Sequence, residues 1–195
     1  MKLIAITGGI GSGKSVVAHL VQVMGYQVYD CDSRAKALMT ENDEVRHQLV
    51  EAFGEGTYLA DGSLNRQHLS AMAFGNAETL ARLNGIVHPA TARDMRQWAE
   101  ALAGKGAEVA FVETALLRTA GLDKLVDEVW HVTAPTDVRI TRVMNRSGLT
   151  TQQVQDRIAS QAIEEEPAPD EKVIVNDDIS AVIPQVIHLL NKKQQ

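Results

Sequence analysis

The chain has 195 residues, a length that suits one domain or one domain carrying an inserted lobe. With 45% hydrophobic and 23% charged residues it has globular composition, which excludes a disordered chain. A formal net charge of −6 and only 4% aromatics argue against a general nucleic-acid binder, and a single cysteine, Cys31, excludes an intrachain disulfide and a cysteine-built zinc site.

Leu3 to Ile6 is a continuous apolar run closed by Thr7-Gly8-Gly9, the pattern of a buried parallel strand. From Lys14 the period changes. Val17, Leu20, Val21 and Met24 recur at helical spacing, and Gly25 follows as a C-terminal stop. Tyr26 to Tyr29 reads as a second strand, ending at Asp30-Cys31-Asp32. Ser33 then stands as a candidate cap, and the stretch to about Ala107 is mostly helical, with one break over 53–65. His88-Pro89 punctuates the long periodic run from Ala77 to Leu102, where a proline kinks a helix or starts a new one. Strands follow at 109–112 and 128–133, helices from Pro135 to Arg146 and from Thr150 to Ala162, a short strand at 172–175, and a helix from Ile179 to Leu190. Glu164-Glu165-Glu166 reads as solvated surface.

Strands alternating with helices predict an α/β fold with a mainly parallel five-stranded sheet flanked by helices. The expected organisation is a single domain, with a core of 1–30 and 108–195, an inserted helical lobe of 31–107, and a lid of about 139–163. No apolar run approaches the roughly 18 residues that cross a bilayer, and the N-terminal apolar stretch is short for a signal peptide. The expectation is a cytoplasmic protein without membrane or nucleic-acid partners, a monomer or weak homo-oligomer.

Gly8-Gly9-Ile10-Gly11-Ser12-Gly13-Lys14-Ser15 matches G-x-x-x-x-G-K-[ST] and lies between a predicted strand and a predicted helix. Such a loop turns backbone N–H groups inward around phosphate oxygens, and the following helix adds its positive end. Gly9 to Val16 are therefore the candidate nucleotide-binding residues. Lys14 has the reach for the β/γ phosphates, and Ser15 has the hydroxyl for Mg²⁺. A dinucleotide fingerprint fails, because Lys14 occupies the place of its third glycine.

Asp30 and Asp32 follow the second strand, whose end faces the ligand crevice of an open parallel sheet. A carboxylate there can orient or deprotonate an attacking hydroxyl; helix capping is the alternative role. Glu113 ends the third strand, where an acidic residue can hold Mg²⁺ or its waters. Arg139, Arg142 and Arg146 recur at spacings that share one helix face, with no acidic residue between Val138 and Gln155. In an acidic protein that stripe suggests an anion-facing lid, with Arg142 and Arg146 favoured for neutralising a transferring phosphoryl group. On residues alone the reading is a P-loop phosphotransferase, which leaves open another small-metabolite or nucleoside-monophosphate kinase; an ATP-binding regulatory module is the alternative from another class. No guanine-specifying Asn-Lys-x-Asp segment is present.

Taken together these segments resemble the dephospho-coenzyme A kinase family along most of the chain. The resemblance rests on Thr7-Gly8-Gly9-Ile10, Asp30-Cys31-Asp32, Asp61-Gly62-Ser63-Leu64-Asn65-Arg66 with Leu69, His88-Pro89 after Leu83-Asn84, Arg142, Arg146 and Gln161, and Val173-Ile174-Val175-Asn176. It implies a nucleoside-monophosphate-kinase-like fold and phosphorylation of the ribose 3′-hydroxyl of dephospho-coenzyme A by ATP with Mg²⁺. It further implies Asp32 as base, Arg66, His88 and Pro89 at the acceptor site, and Asn176 near the adenine. Glu113-Thr114-Ala115-Leu116-Leu117-Arg118-Thr119 departs from the family's Asp-x-Pro-Leu-Leu-x-Glu in lacking both the proline and the closing glutamate. Asp170-Glu171 stands where the family has Ala-Asp.

Overall fold

The computed structural model describes residues 1–73 and 76–191; the remaining positions of the expected lobe and core lie outside the described residues. Five strands form the sheet: β1 (Lys2–Thr7), β2 (Gln27–Asp30), β3 (Val109–Glu113), β4 (Glu128–Thr133) and β5 (Lys172–Val175). Their order is β2-β3-β1-β4-β5 and every pairing is parallel. Central β1 is buried along Leu3 to Thr7, which is why it reads as an unbroken apolar run rather than an alternating one. The helices are α1 (Lys14–Val23), α2 (Cys31–Glu41), α3 (Asp43–Phe53), α4 (Arg66–Ala73), α5 (Ala77–Ala103), α6 (Thr136–Ser147), α7 (Thr151–Ser160) and α8 (Val182–Asn191).

The chain divides into two compact units, one of Met1–Asp30 with the chain from Ala101 onward, the other of Cys31–Glu100. In the first, Ile4, Ile6, Phe111, Trp130, Val132 and Ile174 from the sheet pack with Val17, Ala18 and Val21 of α1 and Val186 of α8. Phe111 stands edge-on to both Tyr26 and Trp130, with ring centroids 5.4 and 5.1 Å apart. The second unit has its own core of Leu38, Val45, Leu49, Phe53, Leu69 and Ala90.

Several local expectations are corrected. α2 begins at Cys31, directly after β2, so Ser33 lies inside the helix rather than at its start. The long helical stretch has a further break at Asn42, whose extended backbone and side-chain bond to the Val45 N–H start α3. Pro89 neither ends nor starts a helix: α5 runs through it from Ala77 to Ala103. α8 starts at Val182 rather than Ile179, because the Asp177 carboxylate accepts from the Ile179 and Ser180 N–H groups and holds a turn there. Cys31 is buried.

Candidate active site

The loop between β1 and α1 carries the candidate nucleotide site. Gly13 caps α1 in the left-handed region at φ 93°. A Cβ there would fall 2.0 Å from Asn176 Nδ2, so this position excludes a side chain on two counts. Asn176 donates that Nδ2 to the Ser12 carbonyl at 2.8 Å, and its own N–H reaches the Thr133 carbonyl. The residue just past β5 is thereby fastened under the loop. Lys14 Nζ folds back over the loop, donating to the Gly8 carbonyl at 2.7 Å and the Gly9 carbonyl at 3.2 Å. Ser15 and Val16 are exposed in the first turn of α1, where the helix presents its positive end.

α6 brings two of its three arginines to this loop. Arg142 donates Nη1 to the carbonyls of Gly11 and Ser12 at 3.3 and 3.4 Å, and Nη2 to Asn176 Oδ1 at 3.4 Å and to the Asp178 carboxylate. Asp178 holds a left-handed φ of 67° to make that contact. Arg146 is exposed in the last turn of α6. Arg139 departs from the expected anion-facing stripe. It is buried, its guanidinium lies in a forked pair with Glu165, and Nε donates to the Ile10 carbonyl at 2.8 Å. It is committed to protein partners, as burial of a guanidinium requires.

Asp30 and Glu113 end β2 and β3 as register partners, and Glu113 also faces Ile6 of β1, two residues before the loop begins. Both carboxylates thus stand at the carboxyl edge of a parallel sheet, where ligand crevices form. Among the described residues no group of three or more His, Cys, Asp or Glu is arranged around a metal position. Mg²⁺ is commonly held by one or two carboxylates plus substrate phosphates, and the oxygen donors of Ser15 and Glu113 are of the kind it takes.

The other candidates lie in the second unit. Asp32 is exposed in the first turn of α2, where the helix dipole favours a carboxylate. Arg66 is exposed at the start of α4. His88 is half-buried on α5, and that burial pushes its pKa down; Pro89 beside it is exposed. Within the same unit Arg34 grips the Asp94 carboxylate through Nε and Nη2, at 3.1 and 3.0 Å, which ties α2 to α5.

The sequence reading missed a buried polar network. Glu164, expected on the surface, is fully enclosed. Its Oε1 accepts from the N–H groups of Arg118 and Thr119 at 3.0 and 2.8 Å and from Thr119 Oγ1 at 3.0 Å. Arg118 reaches on to Glu171, whose other oxygen lies 3.3 Å from His131 Nδ1 on β4. Burial lowers the His131 pKa, opposed by Glu171 and the Glu165 backbone and assisted by Arg118. The 113–119 segment therefore receives its carboxylate from Glu164. The one available signal was a breaker, Pro167-Ala168-Pro169, placed beside a charge run; nothing local names the partners.

A sequence profile of the family "Dephospho-CoA kinase" matches residues 2–182. Over 178 residues the chain is 36% identical to a dephospho-CoA kinase of Dehalococcoides mccartyi, covering 91% of this chain and 89% of that one. Over 166 residues it is 41% identical to a dephospho-CoA kinase of Salinibacter ruber, covering 85% and 83%. The crystal structure of TT1252 from Thermus thermophilus superposes with a TM-score of 0.75 at 31% identity, over 99% of this chain and 96% of that one. A dephospho-CoA kinase from Campylobacter jejuni, at 19% identity and a TM-score of 0.68 over 98% and 97%, shares the fold. A match over this much of the chain, on a phosphate loop braced by Asn176 and Arg142, shows that the chain belongs to the dephospho-CoA kinase family.

Proposed function

We propose that the loop 8–15 and its neighbours transfer the terminal phosphoryl group of ATP to the ribose 3′-hydroxyl of dephospho-CoA, giving CoA and ADP. Family membership sets this reaction, the final step of CoA synthesis. The observation that carries the reading at the atomic scale is the glycine loop, with Lys14, Arg142 and Asn176 gathered on its carbonyls.

In this reading the backbone N–H groups from Gly9 to Val16 surround the phosphates, and Lys14 swings from the loop carbonyls to the β/γ oxygens. Arg142 and Arg146 neutralise charge that develops on the transferring group. Asn176 lies toward the adenine. Ser15 and Glu113 hold Mg²⁺, which when bound neutralises phosphate charge. Asp32 takes the proton of the 3′-hydroxyl as its oxygen bonds to phosphorus and ADP departs. Arg66, His88 and Pro89 shape the acceptor site, and residues 139–163 act as lid. The proposed setting is the cytoplasm, as a monomer or weak homo-oligomer.

The test is ADP release from ATP and Mg²⁺ with and without dephospho-CoA, with AMP as a control acceptor. The expected result is release that requires dephospho-CoA and a product heavier by one phosphate. ATP binding without release for any acceptor would point instead to a regulatory nucleotide module.

A further inference from the structure

Ile10 of the phosphate loop is held by side chains at both of its backbone polar groups. Its carbonyl accepts from Arg139 Nε at 2.8 Å, and its N–H donates to Gln161 Oε1 at 2.9 Å. Arg139 stands in the second turn of α6, and Gln161 closes α7. The two ends of the proposed lid thus converge on a single residue of the loop. Arg139 is fixed in turn by Glu165, four residues past Gln161, through its Nη1 and Nη2.

The sequence of the loop fits this arrangement. A Cβ on Gly9 would fall 2.3 Å from both Arg139 Nη2 and Glu165 Oε1. Gly9 has no positive φ, so its need for glycine is spatial: the ion pair lies across it. A Cβ on Gly11 would fall 2.7 Å from the Arg139 carbonyl, so the helix backbone itself rests on the next glycine.

We propose that Arg139, Glu165 and Gln161 form a clamp that sets the backbone conformation of Ile10 and so the affinity of the loop for nucleotide phosphates. Arg139 is then a positioning residue that never touches the transferring phosphoryl group. Glu165 acts through Arg139 on the peptide group that follows Ile10, and Gln161 acts independently on the one that precedes it. The inference rests on the loop being the nucleotide site, and it makes that site's shape depend on where the lid begins and ends.

The experiment compares the parent with Glu165→Gln, Arg139→Lys, the Arg139→Lys/Glu165→Gln double variant and Gln161→Ala. Direct titration with a fluorescent ADP analogue, without acceptor, gives Kd; steady-state assays give kcat and both KM values. Each charge variant should raise Kd and the KM for ATP by at least about tenfold, as loss of one partner of a buried pair does. kcat at saturating ATP should stay within about threefold and the KM for dephospho-CoA should not move, because only ground-state and transition-state binding of nucleotide fall together. The double variant should be no worse than the poorer single one, the non-additivity expected of a single unit. Gln161→Ala removes one neutral hydrogen bond and should raise Kd about threefold; it supplies the test should a charge variant fail to fold. A fall in kcat with KM for ATP unchanged would overturn the proposal by placing Arg139 on the reacting group. So would additive losses, or parental Kd in Gln161→Ala. A parent that binds nucleotide yet phosphorylates no dephospho-CoA would sink the kinase reading while leaving the Kd comparison intact.

Discussion

Arg139, Arg142 and Arg146 carry one charge at helical spacing and meet three different surroundings. Arg139 is enclosed with Glu165, Arg142 lies among loop carbonyls with Asp178 as its counter-ion, and Arg146 is exposed. Sequence spacing reports the shared face of α6 but not the depth at which each guanidinium ends. Of the three, Arg142 touches the phosphate loop while its counter-ion Asp178 lies on the exposed side, so it can turn toward a phosphoryl group without leaving the loop. Arg142→Ala should lower kcat by about 10² or more if it stabilises transition-state charge; an unchanged kcat would return it to a loop-bracing role. Lys14→Ala and Asp32→Asn should both cut turnover, Asp32→Asn by about 10² to 10⁴ for loss of a general base. Nucleotide titration should separate them, with Kd for ATP raised in Lys14→Ala and near parental in Asp32→Asn.

At the scale of elements, caps and turns decide the boundaries. Asn42 separates α2 from α3 by accepting the Val45 N–H, and Asp43 and Glu44 follow in the first turn of α3, where the helix dipole favours them. Asn42→Ala should destabilise the protein by about 1 kcal/mol, read as a lower urea midpoint with unchanged slope; Asn42→Ser should restore most of it. The break was written in the sequence as Asn-Asp-Glu but was hidden inside a longer helical pattern. β1 and β3 were legible because a strand buried on both faces is an uninterrupted apolar run, and the glycine loop because its chemistry forces its spacing. The surroundings of Glu164 were not legible. Its partners, the Arg118 and Thr119 amides, lie 46 and 45 residues away along the chain, and three consecutive glutamates after a helix look like any solvated run. The departure at Thr119, whose hydroxyl and N–H bind Glu164, and the charge at Glu164 are two halves of one contact, visible only in the folded chain.

For the whole molecule, buried histidines link stability to pH. Burial is the largest influence on both His131 and His88 and pushes each below 6.5. Their unfolded forms bind protons more readily, so their contribution is fully present above about pH 6.5 and is lost as pH falls through the lower folded values. Glu171 and the Glu165 backbone oppose the shift at His131 and Arg118 reinforces it, so His131 reports on the whole network. The melting temperature should fall between pH 7.5 and 5.5, and His131→Gln should flatten part of that fall. An identical fall in His131→Gln would assign it elsewhere.

The strand order also fixes a timetable for synthesis. β1 lies first in the chain, but its partners begin at Val109 and Glu128. The Cys31–Glu100 unit, with every member of its core inside its own span, has all it needs to close while β1 is still waiting. At about 5–20 residues per second the wait is on the order of ten seconds. Throughout it Leu3-Ile4-Ala5-Ile6 has no sheet to enter, and the phosphate loop lacks Arg139, Arg142 and Asn176, the residues that later hold its shape. The nascent chain therefore carries β1 unpaired until β3 and β4 have been made, and acquires a formed nucleotide site only after residue 176 has emerged.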